Sequence, residues 1–157
     1  SCWEKVSFEV GRYNPSSHGI HSLVAGRALD GTEREIARFG DDFKRLKQDP
    51  TFIYNSIFHQ TVLNLLGKND VPFIMTGSIY DEGAMLPLHR KSGDITAVFF
   101  MHVCKIMLCY LFEAYPEAIE YADQADEVVD LVVVHHAGCH RHIFVFGDSV
   151  DLLGHDV

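Results

Sequence analysis

Positive charge is scarce in this chain: 13 Lys and Arg stand against 22 Asp and Glu, a formal net charge of -9. Phosphate neutralisation needs a clustered cationic surface, so nucleic acid is not an expected partner. A disulfide framework is also lacking. Cys2, Cys104, Cys109 and Cys139 are scattered, and Cys104 and Cys109 share one apolar run in which a buried free thiol is ordinary. That usage favours a reducing, intracellular compartment. No apolar run is long and clean enough for lipid. The longest, Ile95 to Phe112, contains His102 and Lys105, so a buried central helix is expected there instead. Ser1-Cys2-Trp3 carries no cationic leader and nothing after Gly147 would anchor a tail, so neither a targeting signal nor a transmembrane segment is expected. Proline is sparse, with 5 in 157 residues, and 47% of the chain is apolar, which excludes wholesale disorder. With no repeat, low-complexity tract or linker, residues 1–157 are expected to form one domain.

What is present is mostly helical in period. Trp3 to Tyr13 suits a short helix ended by Asn14-Pro15-Ser16-Ser17. Ile20 to Lys47 predicts a long helix closed by Asp49-Pro50, because a residue before proline avoids the helical region. Thr51 to Leu66 repeats apolar residues at helical spacing up to Gly67-Lys68-Asn69-Asp70. A further helix is expected from Val71 to Glu82, then a loop over Leu86-Pro87-Leu88-His89-Arg90-Lys91. Ser92 and Asp94 suit the start of the hydrophobic helix. Pro116 breaks that run, Glu117 to His136 continues as helix, and His142 to Leu153 follows Ala137-Gly138. The expected class is all-α, a bundle of seven or eight helices around Ile95 to Phe112. Leu131 to Val134 and Ile143 to Phe146 would suit buried strands equally, and strands there would make the fold α/β.

One stripe departs from an ordinary amphipathic face. Ile36, Phe39 and Phe43 share a side of their helix, Gly40 removes a side chain where another helix must approach, and Asp41 stands at the contact edge to seek a cation. This Gly-Asp stripe resembles the death motif of the Bcl-2 family of apoptosis regulators. Three further segments are similar to that family's signatures in order. Ser78 to Gly83 resembles its Leu-Phe-acid-x-Gly segment, Ser92-Gly93-Asp94 its Trp-Gly-Arg opening of the central helix, and Val150-Asp151-Leu152-Leu153-Gly154 its closing Val-Glu-Leu-x-Gly.

The resemblance implies a Bcl-2-like helical bundle with a hydrophobic surface groove that sequesters the amphipathic death-motif helix of pro-apoptotic proteins. It implies no catalysis, cofactor or metal. Carried over position by position, it places apolar pockets at Phe43, Phe52, Met75, Ile79 and Ala97, with Gly93 allowing close helix approach at the groove floor. Two positions depart from the pattern. Asp94 stands where the family has the Arg that meets a ligand's acid, leaving Arg90 or Lys91 to supply the cation. Thr32 replaces the apolar anchor one turn before Ile36, which makes the chain a better receptor than ligand. The departures imply a divergent pro-survival form of viral type, cytoplasmic and reaching the mitochondrial surface through partners. A pro-death member is the second reading within the family, and a homo-oligomer is left open.

Other chemistry competes. His135-His136-Ala137-Gly138-Cys139-His140-Arg141-His142 holds two potential zinc pairs at helical i, i+4 spacing, which permits a metal-dependent enzyme without being diagnostic of one. Gly147-Asp148-Ser149 resembles the nucleophile block of serine hydrolases, but that block opens its family and only eight residues follow here. Asp81-Glu82 is explained by a solvated helix end, and no glycine-rich phosphate loop is present.

Overall fold

The computed structural model describes residues 22, 23 and 25–135, with side chains described as far as Val128. The expected elements at Trp3–Tyr13 and His142–Leu153, the His136–His142 part of the histidine run, Gly147-Asp148-Ser149 and Val150–Gly154 all lie outside these residues. Among the described residues the chain is all-helical, with five helices: α1 (Leu29–Arg45), α2 (Asp49–Leu65), α3 (Glu82–Ser92), α4 (Ile95–Leu111) and α5 (Tyr115–His135). Helix α1 packs on α2, α2 on α4, and α4 on both α3 and α5.

Helix α1 buries Thr32, Ile36, Gly40 and Phe43, one side of a 3.6-residue helix, while Asp30 in its first turn and Lys44 and Arg45 in its last suit its dipole. It starts later than the Ile20–Lys47 pattern suggested, because Gly26 takes a left-handed conformation (φ +67°) and closes a turn onto Leu23. Helix α2 starts at Asp49: Pro50 falls in its first turn, where the missing N–H has no helical partner to lose. Its residues 55–62 are buried throughout, which suits an element packed on two sides.

Helix α4 is the central hydrophobic helix, opened by Asp94, whose Oδ1 accepts from the Ala97 amide at 3.1 Å. The main core joins Ile57 and Phe58 of α2, Met75 and Tyr80 of the intervening segment, and Ala97, Met101, Cys104 and Leu108 of α4. Helix α5 has Pro116 in its first turn, so proline starts this helix instead of merely ending the previous one.

Two expectations fail between α2 and α4. Residues 71–81 are irregular, not helical. Asn64 Nδ2 donates to the carbonyls of Pro72 (3.0 Å) and Ile74 (2.7 Å), and Asn69 Nδ2 donates to Ile74 as well (2.8 Å), so side-chain amides take carbonyls that a helix would use. Gln60 completes the clamp through Asn64 Oδ1 and the Tyr80 amide, and a Cβ on Gly77 would sit 2.5 Å from Gln60 Oε1. Conversely, the expected loop at Leu86–Lys91 is part of α3. Asp81 caps that helix through the Ala84 amide at 2.9 Å. Pro87 leaves the Gly83 carbonyl without its i+4 helical donor, at a residue that is exposed to solvent.

Lys105 ties these parts together. It is 1% exposed, and its Nζ donates to Phe73 O (2.7 Å) and Glu82 Oε1 (2.9 Å) while lying 4.7 Å from the centre of the Tyr121 ring. Glu82 Oε2 in turn accepts from the Met75 amide at 2.9 Å. A buried ammonium is tolerated only with such partners. Among the described residues no helix is long and apolar enough to cross a membrane.

Candidate functional site

Where α2, the 77–81 segment and the start of α3 converge, the surface is hollowed. One hollow of about 290 Å³ is lined by Phe52, Ile53 and Ser56 of α2, residues 77–81, and Ala84 and Met85 of α3. A second, of about 430 Å³, continues along α3 over Leu88, His89, Lys91 and Ser92 to Asp94. Ile53 and Met85 line both, so the two apolar hollows adjoin along the α2–α3 groove. Ile79 is 37% exposed and Leu88 55%, apolar surface held open to solvent. The clamped 71–81 segment and the Asp81 cap fix the groove's walls.

The polar groups along the groove are interlinked. Asp94 Oδ1 also accepts from the Tyr54 hydroxyl at 3.2 Å, and burial together with that carboxylate pushes Tyr54 up to about 12. Asp94 Oδ2 lies 4.0 Å from His89 Nδ1. His89 is stacked on Tyr80, with ring centroids 6.0 Å apart and 9° between planes. Burial lowers the His89 imidazole below its ordinary value, with Asp94 opposing, and burial raises the Tyr80 phenol. His89 Nε2 and the Tyr80 hydroxyl are buried without a hydrogen-bond partner.

The structure brings Phe52, Ile79 and Asp94 to this groove and separates them from the other expected site residues. Met75 and Ala97 are 0% exposed and belong to the core, so neither offers surface to a ligand; Ala97→Arg would disrupt packing instead of probing the groove. Phe43 is 5% exposed on the inner side of α1. Gly93 is the left-handed C-cap of α3 (φ 72°) with open space around it, so it is a helix stop and not a floor for close approach. Arg90 is exposed and outside both hollows, whereas Lys91 lines the second. Ile53, Met85, Leu88 and His89 escaped the sequence reading; Met85, Leu88 and His89 keep i, i+3, i+4 spacing, but Pro87 between them pointed to a loop.

The death-motif-like face of α1 is occupied within the chain. Ile36 is 1% exposed, and Gly40 is buried where a Cβ would approach Asn55 Nδ2 to 3.0 Å. Asn55 uses that space to donate to Ile36 O at 3.1 Å, and Glu33 meets His59 Nε2 at 2.9 Å beside it. The close helix approach expected at Gly40 therefore exists, with α2 as the neighbour. Phe39 is half-buried and Asp41 is exposed. Comparison with protein-family models, with curated proteins and with solved structures gives no match. Among the described residues, fold and site together define an all-helical body with apolar hollows on its surface between α2 and α3.

Proposed function

We propose that this chain is an inhibitor of apoptosis of Bcl-2 type, a seven- or eight-helix bundle that sequesters the amphipathic death-motif helix of a pro-apoptotic partner in the groove between α2 and α3. The observation that carries this reading is the pair of adjoining apolar hollows that share Ile53 and Met85. A docked helix presents apolar anchors at i, i+3/4 and i+7 and needs adjoining hollows in a row, which Phe52 and Ile79 supply in one and Leu88 in the other. Lys91 on the second hollow suits a helix that carries an acid beside its anchors. Sequestration, not turnover, is the activity. A pro-death role is the second reading, favoured by the exposed Asp41 beside Gly40, and it requires α1 to leave α2.

Fluorescence anisotropy with a panel of labelled death-motif helices tests the proposal. At least one helix is expected to bind the parent protein with a Kd of about 1 μM or tighter. Leu88→Glu, at an exposed position, should keep the helix content and weaken binding about tenfold or more. Failure of every helix in the panel to bind would overturn the reading.

A further inference from the structure

The corner between α4 and α5 carries a second apolar surface. Of the large hydrophobic side chains that stand exposed among the described residues, half fall between residues 110 and 119: Tyr110, Leu111, Phe112, Tyr115 and Ile119, the last 63% exposed. The Tyr110 and Tyr115 rings meet edge to face with centroids 5.9 Å apart, and Ile119 follows Tyr115 by one turn of α5, which joins the two helices into one patch. Apolar side chains gathered in this way mark an interaction surface, whereas scattered ones need no account. The corner is also well fixed. The Ala114 amide donates to Cys109 O at 2.8 Å and the Glu113 amide to Tyr110 O at 3.2 Å, the double closure of a helix C-terminus.

The patch has a rim of one sign. From residue 106 to residue 140 the sequence holds seven Asp and Glu and no Lys or Arg. Glu113, Glu117 and Asp123 are exposed, and among the described residues none of them has an ion-pair partner. Lys105, the one Lys or Arg of α4 and α5, is 1% exposed and held by Glu82 and Phe73 O, so it does not offset these acids at the surface. Glu113 takes a left-handed backbone (φ 60°) at a helix end where glycine would be unstrained. An acid stands in the turn despite that strain.

We propose that this corner is a second docking surface whose occupant is a cationic amphipathic helix of a partner protein. Apolar side chains of that helix cover Leu111, Phe112 and Ile119, while its Lys and Arg meet Glu113, Glu117 and Asp123 and lie over the exposed Tyr110 and Tyr115 rings. Charge selects this occupant over two others. A second copy of the chain would set one acidic rim against another, and an anionic lipid surface is repelled by the same field. The corner is separate from the groove between α2 and α3. That groove ends at Asp94, which opens α4, and the patch begins where α4 closes, 17 residues or about 25 Å of helix away. The two surfaces can therefore be filled independently.

Fluorescence anisotropy with three labelled peptides decides the matter. The first is a helix of about 18 residues with Leu at i, i+3/i+4 spacing and Lys elsewhere. The second has Glu in place of its Lys, and the third is an oligolysine of the same charge. The Leu/Lys helix should bind with a Kd of about 10 μM or tighter, at least about tenfold more tightly than either control. Raising the ionic strength from about 0.05 M to about 0.5 M should weaken it about tenfold. Leu111→Glu and Ile119→Glu should each weaken it about tenfold or more with the helix content unchanged, although each adds an acid. They lie on different helices, so if one variant fails to fold the other decides. Glu113→Gly should raise the urea midpoint and yet weaken the Leu/Lys helix about threefold. Equal binding of oligolysine, no binding of the Leu/Lys helix, or affinity that survives both Leu111→Glu and Ile119→Glu would overturn the proposal. Binding lost in Leu88→Glu instead would place the peptide in the groove between α2 and α3 and overturn it too. So would a dimer in ultracentrifugation that Leu111→Glu dissociates, or adsorption to neutral phosphatidylcholine vesicles that the same variant abolishes.

Discussion

Two apolar surfaces of this molecule have opposite fates. The Ile36, Gly40 and Phe43 face of α1 is closed against α2, with Asn55 bonded to a backbone carbonyl across the seam. The groove along Ile53, Met85 and Leu88 is open, although its walls are equally well determined. The difference lies in what surrounds each. At the seam, a glycine lets a polar side chain reach the backbone and complete the contact; at the groove, a proline-containing helix and an amide-clamped segment hold apolar side chains apart. A helix face that looks designed for recognition can thus be spent internally, while a less regular stretch supplies the free surface.

The largest effect is expected from the residue that fixes the groove wall. Lys105→Ala should cost about 3–5 kcal/mol in urea unfolding, because it strands Glu82 and frees Phe73. It should also abolish helix binding, whereas a variant that lost stability yet bound normally would show that the 71–81 segment does not shape the groove.

Acid is expected to act elsewhere. Burial first, then Arg90 and Lys105, hold His102 down to about 4 from 6.5, and both its ring nitrogens lack partners at the α4 and α5 contact, where its ring lies 6.0 Å from that of Tyr121. Between pH 4 and 6.5 the unfolded chain therefore binds the extra proton. Stability from this group is complete above pH 6.5 and falls as pH drops through that window, by about 3 kcal/mol in total. Urea titrations across the window should show the fall, and His102→Leu should flatten it; an unchanged slope in that variant would assign the proton elsewhere.

Smaller effects separate the seam from plain helix propensity. Gly40→Ala should destabilise by about 1 kcal/mol, since its Cβ crowds Asn55, while Gly31→Ala on the same helix meets nothing within 4 Å and should stabilise by about 0.5 kcal/mol. Thermal melts of the pair check this, and equal signs would mean that the seam does not need its glycine. At the groove, Leu88→Glu should change stability by less than about 0.5 kcal/mol, so that its effect on binding is not a folding effect.

Much of the helical framework was legible because it rests on local period and caps. Ile36 and Phe43 predicted the buried side of α1, Asp94 the start of α4, and the Ile95–Phe112 run the central helix. The 71–81 segment was not legible, since its shape depends on Asn64, Gln60 and Lys105 reaching across from other elements. Helix α3 was hidden by Pro87, which sits inside it and costs a helical bond at the exposed Gly83. Of the expected site residues, Phe52, Ile79 and Asp94 reach the groove, while the depth of Met75 and Ala97 and the orphan nitrogen of His89 are properties of packing that spacing does not encode.

The contrast between closed seam and open groove is tested most directly by amide chemical-shift mapping of the parent protein with a peptide of residues 29–45 carrying Thr32→Leu to restore the absent anchor. The account predicts shifts concentrated at Phe52, Ile53, Ile79, Met85, Leu88 and His89, with the amides of Ile36, Gly40 and Asn55 unmoved. Shifts centred on Ile36 and Asn55, with the groove silent, would mean that the peptide displaces α1 from α2 and would contradict it.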